Sequence, residues 1–159
     1  MKPNLALFLL GTLFILAACT QLPNSLRPTE GYTIHIAATK HAHTTPELYV
    51  HHYCKGLPNG VTQCQLYDSD TVNARLIGVE FMVPNEVFEM FNESEKKYWH
   101  AHQEELKMVQ LKAPEMSEVE LENLKEALGK THGKVIILWD PTREYPDSKP
   151  RITDVYGFK

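Results

Sequence analysis

Two strand-like segments separated by a strong turn signal constrain the fold more than any other feature of this 159-residue chain. Residues 48–54 and 61–67 are rich in tyrosine, valine and other residues that favour strands. Between them, residues 56–60 read Gly-Leu-Pro-Asn-Gly, and Asn-Gly is among the strongest short-range hairpin signals. The chain is therefore expected to contain an antiparallel hairpin.

Three further segments are expected to extend this hairpin into a sheet. Residues 74–83 are the most apolar of the chain outside its N-terminus and predict a central strand that ends at Pro84. Residues 32–36 alternate as a short strand does, and residues 134–139 have a β-branched centre that predicts a last strand. The sheet is thus expected to be antiparallel and small.

Two helices are expected between the central strand and the last one. Asn92 is a suitable N-cap, and the pattern predicts one continuous helix from there to Val109. Ser117 and Glu120 form a capping box that begins a second helix, which ends at Gly129. Strands followed by helices predict the α+β class, with a small antiparallel sheet and helices packed on one face.

The N-terminal segment is expected to lie outside this fold. Residues 5–17 are apolar but fall short of the about 20 residues needed to span a bilayer. A Leu-Ala-Ala-Cys boundary that ends at Cys19 follows and resembles the bacterial lipobox, in which the cysteine is acylated and the preceding peptide removed. An uncleaved anchor is the alternative. We expect a lipoprotein signal peptide over residues 1–18, a lipidated tether over 19–45 and a single domain over 46–159.

The expected partner is a lipid membrane, bound through acylated Cys19. Thr20 follows the cysteine where an aspartate would favour inner-membrane retention. The expected location is therefore the outer membrane of a bacterial envelope, with the domain facing the periplasm. The net charge of -4 does not indicate the positively charged surface that binds nucleic acid, so nucleic acid is not an expected partner.

Cys54 and Cys64 flank the predicted hairpin, and a disulfide is the default for such a pair in an oxidising compartment. If the loop is centred on Pro58, the two cysteines lie diagonally on one face of the sheet. If Asn59-Gly60 forms a two-residue turn, they point to opposite faces. Because a one-residue slip exchanges the faces, the sequence leaves both registers open.

Other polar residues are expected on apolar surfaces. Glu80 belongs to the predicted central strand, and a buried carboxylate must be paired, protonated or bound to a metal. On the predicted helix, His102 lies in the apolar stripe with Leu106, and Glu105 borders that stripe. His100 lies about 200° around the helix axis from His102 and is expected to be solvated.

Candidate metal- or ligand-binding residues follow from these placements. Zinc suits a mixture of thiolate, imidazole and carboxylate ligands. The alternative interpretation is a polar core in which the same side chains form hydrogen bonds. The candidates are His52, Cys54, Cys64, Glu80, His102 and Glu105.

Several short motifs of the chain resemble the oil-body-associated protein family. They are residues 51–54, 63–64, 67–68 and 73–80, and the pattern Trp-His-x-His-x-x-Glu that begins at Trp99. The resemblance extends over about residues 49–139, and it is uninterrupted from residue 73 to residue 80. It implies an association with lipid but no established biochemical activity. Plant members carry both hairpin cysteines in a reducing cytosol, so the resemblance weakens the expectation of a disulfide.

Three functions are compatible with these observations. We favour a non-catalytic, lipid- or envelope-associated domain, because structural networks also produce polar clusters. A metal- or small-ligand-binding domain is the main alternative. A metal-assisted enzyme with Glu105 or Glu80 as the base is the third. The chain contains neither a G-x-S-x-G nor an H-E-x-x-H motif.

Overall fold

The computed structural model describes residues 27–39 and 48–153. Within these ranges, eight strands form one antiparallel sheet in the order β5-β7-β4-β3-β2-β1-β6, and β8 also pairs with β7. The strands are β1 (Ile34–Thr39), β2 (Tyr49–Gly56), β3 (Thr62–Tyr67), β4 (Leu76–Pro84), β5 (His100–Ala101), β6 (Leu111–Lys112), β7 (Thr131–Ile137) and β8 (Arg151–Thr153). The helices are α1 (Asn85–Glu89), α2 (Glu93–Lys96), α3 (His102–Glu105) and α4 (Glu118–Leu128).

The predicted hairpin is present as β2 and β3, but with a register that neither sequence alternative gave. Cys54 lies directly opposite Cys64, and a disulfide joins them. The connection is a five-residue loop in which the Leu57 N–H donates to the Val61 carbonyl. Gly60 adopts a φ of 81°, a conformation that glycine tolerates best. The Asn-Gly pair therefore ends a longer loop and does not form a two-residue turn.

The helical layer is smaller than predicted, because the expected helix from Asn92 to Val109 is interrupted. Asn92 does cap α2, accepting the Glu95 N–H at 2.9 Å, but that helix ends at Lys96. The chain then becomes extended, since β5 pairs with Gly133 and His132 of β7. The prediction of one continuous helix is therefore wrong.

The second predicted helix is confirmed as α4. Ser117 and Glu120 form the reciprocal capping box, and Gly129 is the C-cap residue. The antiparallel sheet is also confirmed, although β7 begins at Thr131, three residues before the predicted start. The fold is thus mostly sheet, with a few short helices.

The sheet extends toward the N-terminus into the predicted tether, since β1 pairs with β2 along its whole length. Cys19 and the predicted signal peptide lie outside the described residues. No helix in the described ranges has the length and apolar composition needed to cross a membrane.

One face of the sheet is buried and forms the core. Strand alternation places Leu66, Val135 and Ile137 there, and Ile77 reaches it at the irregularity where the β3–β4 register shifts. Each of these side chains is almost inaccessible to solvent. The Cys54–Cys64 disulfide belongs to the same core cluster. This face also carries the polar residues described next.

Candidate metal-binding site

Five polar side chains lie together on the buried face of the sheet, and we refer to them as the His/Glu site. Each is between 1% and 4% exposed, so water does not solvate any of them to a useful degree. The residues are His52 on β2, Glu80 on β4, His100 on β5, and His102 and Glu105 on α3.

Glu80 lies at the centre of the His/Glu site. Its Oε1 atom is 3.2 Å from Nε2 of His102 and 3.6 Å from Nε2 of His100. Its Oε2 atom is 3.6 Å from Nε2 of His52. Oε2 of Glu105 is 3.3 Å from Nε2 of His100 and 3.6 Å from Nε2 of His102.

These distances are informative because direct N–H···O hydrogen bonds have lengths of about 2.7–3.2 Å. Only the contact between His102 and Glu80 falls within that range. Two ligand atoms of a tetrahedral zinc ion, each bound at about 2.1 Å, lie about 3.4 Å apart. The spacing of the His/Glu site therefore suits atoms that share a cation better than atoms that share a proton.

Two of the histidines are oriented by hydrogen bonds at their Nδ1 atoms. Nδ1 of His52 donates to the Val50 carbonyl at 3.0 Å. Nδ1 of His102 lies 2.7 Å from Oγ1 of Thr131, whose hydroxyl donates to the Leu128 carbonyl and therefore accepts from the imidazole. In the neutral form, each imidazole then directs an Nε2 lone pair at the carboxylates, as metal-ligating histidines do.

Gly133 provides the space in which these side chains converge. It lies opposite Met82 on β4 and opposite His100 on β5. A Cβ atom at this position would lie 2.6 Å from Nε2 of His102 and 2.8 Å from Cε1 of His100, and closer still to Oε1 of Glu80. Any larger residue at this position would displace the site.

The two carboxylates of the site also bear on what it can hold, because a buried carboxylate is paired, protonated or bound to a metal. Two carboxylates, Glu80 and Glu105, are buried together, and buried charges must be paired or coordinate a metal. Protonated imidazoles or one divalent cation could supply the positive charge. Next to the site, burial lowers the pKa of His132, and the imidazoles of His102 and His100 lower it further.

The structure brings four of the six sequence candidates together, namely His52, Glu80, His102 and Glu105. The sulfur atoms of the other two are joined in the disulfide. A thiolate is the form of cysteine that binds a metal, so the disulfide removes both sulfur atoms from the predicted ligand set.

The prediction that His100 is solvated is wrong, since this residue is 3% exposed and belongs to the His/Glu site. The cause is the extended backbone at Ala101, which has φ −81° and ψ 118°. Residues two apart share a face in an extended segment, whereas they diverge in a helix. The spacing of two in His-x-His was the signal that could have identified His100.

These features define a class of protein: an antiparallel-sheet domain with a buried centre of histidines and glutamates. The chain belongs to the family described as "Protein of unknown function (DUF1264)", whose model matches residues 26–154. No solved structure matches it.

Curated relatives are oil body-associated proteins of plants, in agreement with the resemblance seen in the sequence. Oil body-associated protein 2B of Arabidopsis thaliana is 29% identical over 78% of this chain and 51% of its own length. Oil body-associated protein 1B of the same plant is 33% identical over 67% of this chain and 45% of its own length. Oil body-associated protein 1A of Zea mays is 37% identical over 61% of this chain and 41% of its own length. The chain thus spans about half the length of these relatives, or less.

Proposed function

We propose that this protein is a metal-binding domain in which Glu80, His100 and His102 hold a divalent cation, zinc in the first instance. The observation that carries the proposal is that one ligand atom from each of these three buried residues lies within 4.8 Å of the other two. Two histidines and one glutamate are a ligand set that zinc sites use when a fourth position is left to water or substrate.

The surroundings of the three ligands support the same proposal. The Thr131 hydroxyl holds His102 by its Nδ1 atom, so Nε2 is available to the cation. Nε2 of His52 lies 3.6 Å from Oε2 of Glu80, on the side of the carboxylate away from His102. The absence of a side chain at Gly133 leaves room for a small cation among the ligands. A divalent cation would also balance the charge of the two buried carboxylates.

The test is metal analysis of the full chain, purified in detergent without a histidine tag. We expect about one zinc per chain after zinc loading and dialysis, as a single three-ligand site implies. His102→Gln should lose the metal. His51→Gln is the matched control, because His51 is the neighbour of His52 on the opposite face of the sheet and should retain it.

Two results would contradict the proposal. One is a folded wild-type chain that retains neither zinc, iron nor manganese, which would leave protonated histidines as the source of positive charge. The other is equal metal content in the His51→Gln and His102→Gln variants. Thr131→Val offers a second route if His102→Gln does not fold, because it alters the metal affinity without removing a ligand.

We also propose that the chain is a lipoprotein of the bacterial envelope, anchored to the outer membrane through Cys19. The supporting observations are the Leu-Ala-Ala-Cys boundary and Thr20 after it. The plant relatives are named oil body-associated proteins, and the family resemblance implies an association with lipid. The domain would then hold its metal ion close to a lipid surface.

Acyl labelling tests the anchor. A Cys19→Ser variant should incorporate no acyl label and should no longer partition with detergent, whereas the wild-type chain does both. Partition of the variant as an integral membrane protein would favour an uncleaved N-terminal anchor. Separation of inner and outer membranes then tests whether the chain, with Thr20 directly after Cys19, is sorted to the outer membrane.

A further inference from the structure

Three of the five residues of the His/Glu site come from one short segment, residues 100–105. His100 and His102 share a face because the backbone at Ala101 is extended. His102 and Glu105 share a face because they lie three residues apart in a helix. A strand of two residues followed by a helix of four therefore presents two imidazoles and one carboxylate to the buried face of the sheet.

Glu105 faces the same two imidazoles as Glu80 does. Its Oε2 atom lies 3.3 Å from Nε2 of His100 and 3.6 Å from Nε2 of His102. The corresponding distances from Oε1 of Glu80 are 3.6 Å and 3.2 Å. All four are close to the about 3.4 Å that separates two ligand atoms of a tetrahedral zinc ion. The proposed three-ligand site has a fourth position, and Glu105 is placed to fill it.

The charge of the site supports the same assignment. Glu80 and Glu105 are 1% and 4% exposed, so each carboxylate needs a positive partner or a proton. One zinc ion bound by both carboxylates and by two neutral imidazoles has no net charge. With Glu105 outside the coordination, its carboxylate would need a proton or a protonated imidazole, and a protonated imidazole cannot bind the cation.

The segment that carries these ligands is short in both of its elements. β5 pairs with β7 through His100 and Ala101 alone. α3 is one turn long and follows Ala101 without a side-chain cap. An isolated helix needs about 12–15 residues to be even marginally stable in water. Bonds from one cation to both this segment and Glu80 would therefore fasten it to the central strand β4.

We infer that Glu105 is the fourth metal ligand and that the bound cation fastens residues 100–105 to β4. The centre is then closed by protein groups, as structural zinc sites are, and the metal orders β5 and α3. This inference rests on the proposed metal site and extends it by one ligand and by the segment whose conformation depends on the metal.

Zinc affinity and the visible spectrum of the cobalt(II) form test Glu105 as a ligand, with the full chain in detergent. Glu105→Gln should weaken zinc binding about 100-fold or more, the upper end of the range for groups that only support a ligand. It should also shift the cobalt absorption bands, because these depend on the atoms bound to the metal.

Glu104→Gln is the matched control, since Glu104 is the exposed neighbour in α3 and pairs with Lys107. This variant should bind zinc and cobalt as the wild-type chain does. If Glu105→Gln does not fold, Glu105→Asp gives the same comparison, because it keeps the carboxylate but withdraws it from the metal.

Amide hydrogen exchange of the wild-type chain tests the segment and needs no variant. The amides of residues 106–109 donate to carbonyls of α3, so they exchange when α3 opens. If this opening breaks the metal site, zinc at 100 times its dissociation constant should slow their exchange about 100-fold. α4 is the internal control, because it holds no ligand and none of its residues is buried. Its exchange should be the same with and without zinc.

Each outcome separates this inference from the proposed function. If the wild-type chain binds neither zinc nor cobalt, the metal site itself is wrong. If it binds them, and Glu105→Gln has the affinity and the cobalt spectrum of Glu104→Gln, the three-ligand site stands and Glu105 is not its fourth ligand. If zinc slows exchange in residues 106–109 no more than in α4, the cation does not order the segment. Either of the last two results overturns the inference.

Discussion

Consecutive histidines of β2 have different surroundings on the two faces of the sheet. His52 points to the buried face, where its Nε2 atom lies 3.6 Å from Glu80. His51 points to the opposite face, where its Nδ1 atom lies 3.0 Å from Nε2 of His35. The period of two along a strand is sufficient to separate them.

The opposite face carries what we call the outer cluster, formed by His35, His51, Tyr53 and Tyr67. The imidazole of His35 stacks on the ring of Tyr53 at 4.5 Å, and Tyr53 meets Tyr67 edge-on at 5.8 Å. A carboxylate that contacts this cluster is that of Glu115, which lies 3.6 Å from Nδ1 of His35 and is 69% exposed. The histidines here contact each other, an aromatic ring and the exposed carboxylate of Glu115.

The difference shows that histidine content alone does not define a metal site. In the His/Glu site, the Nδ1 atoms of His52 and His102 are bound to protein oxygens, and Nε2 atoms converge on buried carboxylates beside the space left at Gly133. In the outer cluster, Nε2 of His35 faces Nδ1 of His51, and Nδ1 of His35 faces the exposed carboxylate of Glu115. The following predictions test whether this contrast is functional.

Gly133→Ala should have the largest effect, reducing bound metal to background. Its methyl group would enter the space among Glu80, His100 and His102, and overpacking there should also cost about 1–3 kcal/mol of stability. Gly56→Ala is the control, since a Cβ at Gly56 has no neighbour within 4 Å. Metal analysis and thermal melts check both. Metal retention by Gly133→Ala would show that the convergence at Gly133 is not a metal site.

Replacement of both hairpin cysteines by alanine should lower the free energy of unfolding by about 2–4 kcal/mol, because the disulfide restricts the unfolded chain. The metal content should not change, since these sulfur atoms are not ligands. Urea unfolding and metal analysis of the same samples check the two parts. A loss of metal from the folded variant would mean that the cysteines take part in metal binding.

Thr131→Val should weaken metal binding by about 10–100-fold, the range for loss of a group that orients a metal ligand. The hydroxyl that accepts from Nδ1 of His102 would be absent, while the side chain would keep its shape. Thr131→Ser restores a hydroxyl and should recover most of the affinity. Competition with a chromophoric chelator measures it. An unchanged affinity would mean that Thr131 does not orient the ligand.

The smallest effect is a loss of folding stability that we expect the outer cluster to cause as the pH is lowered. Burial is the main cause that lowers the pKa of His51, against the opposing influence of Asp70 and Asp68. The unfolded chain, with a histidine pKa near 6.5, then takes up the proton first, so stability decreases as the pH falls below about 6.5. His51→Gln should reduce this slope between about pH 7 and pH 5.5. Urea unfolding at both pH values measures the slope of stability against pH. A steeper slope in the variant would contradict the prediction, because it would mean that His51 stabilises the fold as the pH falls.

Local signals in the sequence determined a large part of this protein. The turn residues between two β-rich segments indicated the β2–β3 hairpin, and Ser117 with Glu120 indicated the start of α4. A carboxylate in an apolar strand marked Glu80 as a residue in need of a partner. Each of these signals acts within a few residues, where backbone preference and side-chain hydrogen bonds are decisive.

Long-range pairing decided the rest. The predicted helix after Asn92 contains no glycine or proline that would end it. It ends because the following segment pairs as β5 with β7, and this pairing turns His100 toward the buried face. The cysteine register depends on a five-residue loop that local turn preference did not select. Gly133 had no local signal at all, because its role exists only where β4, β5 and β7 meet. Such contacts join residues far apart in the chain, so tertiary structure outweighs local propensity at these positions.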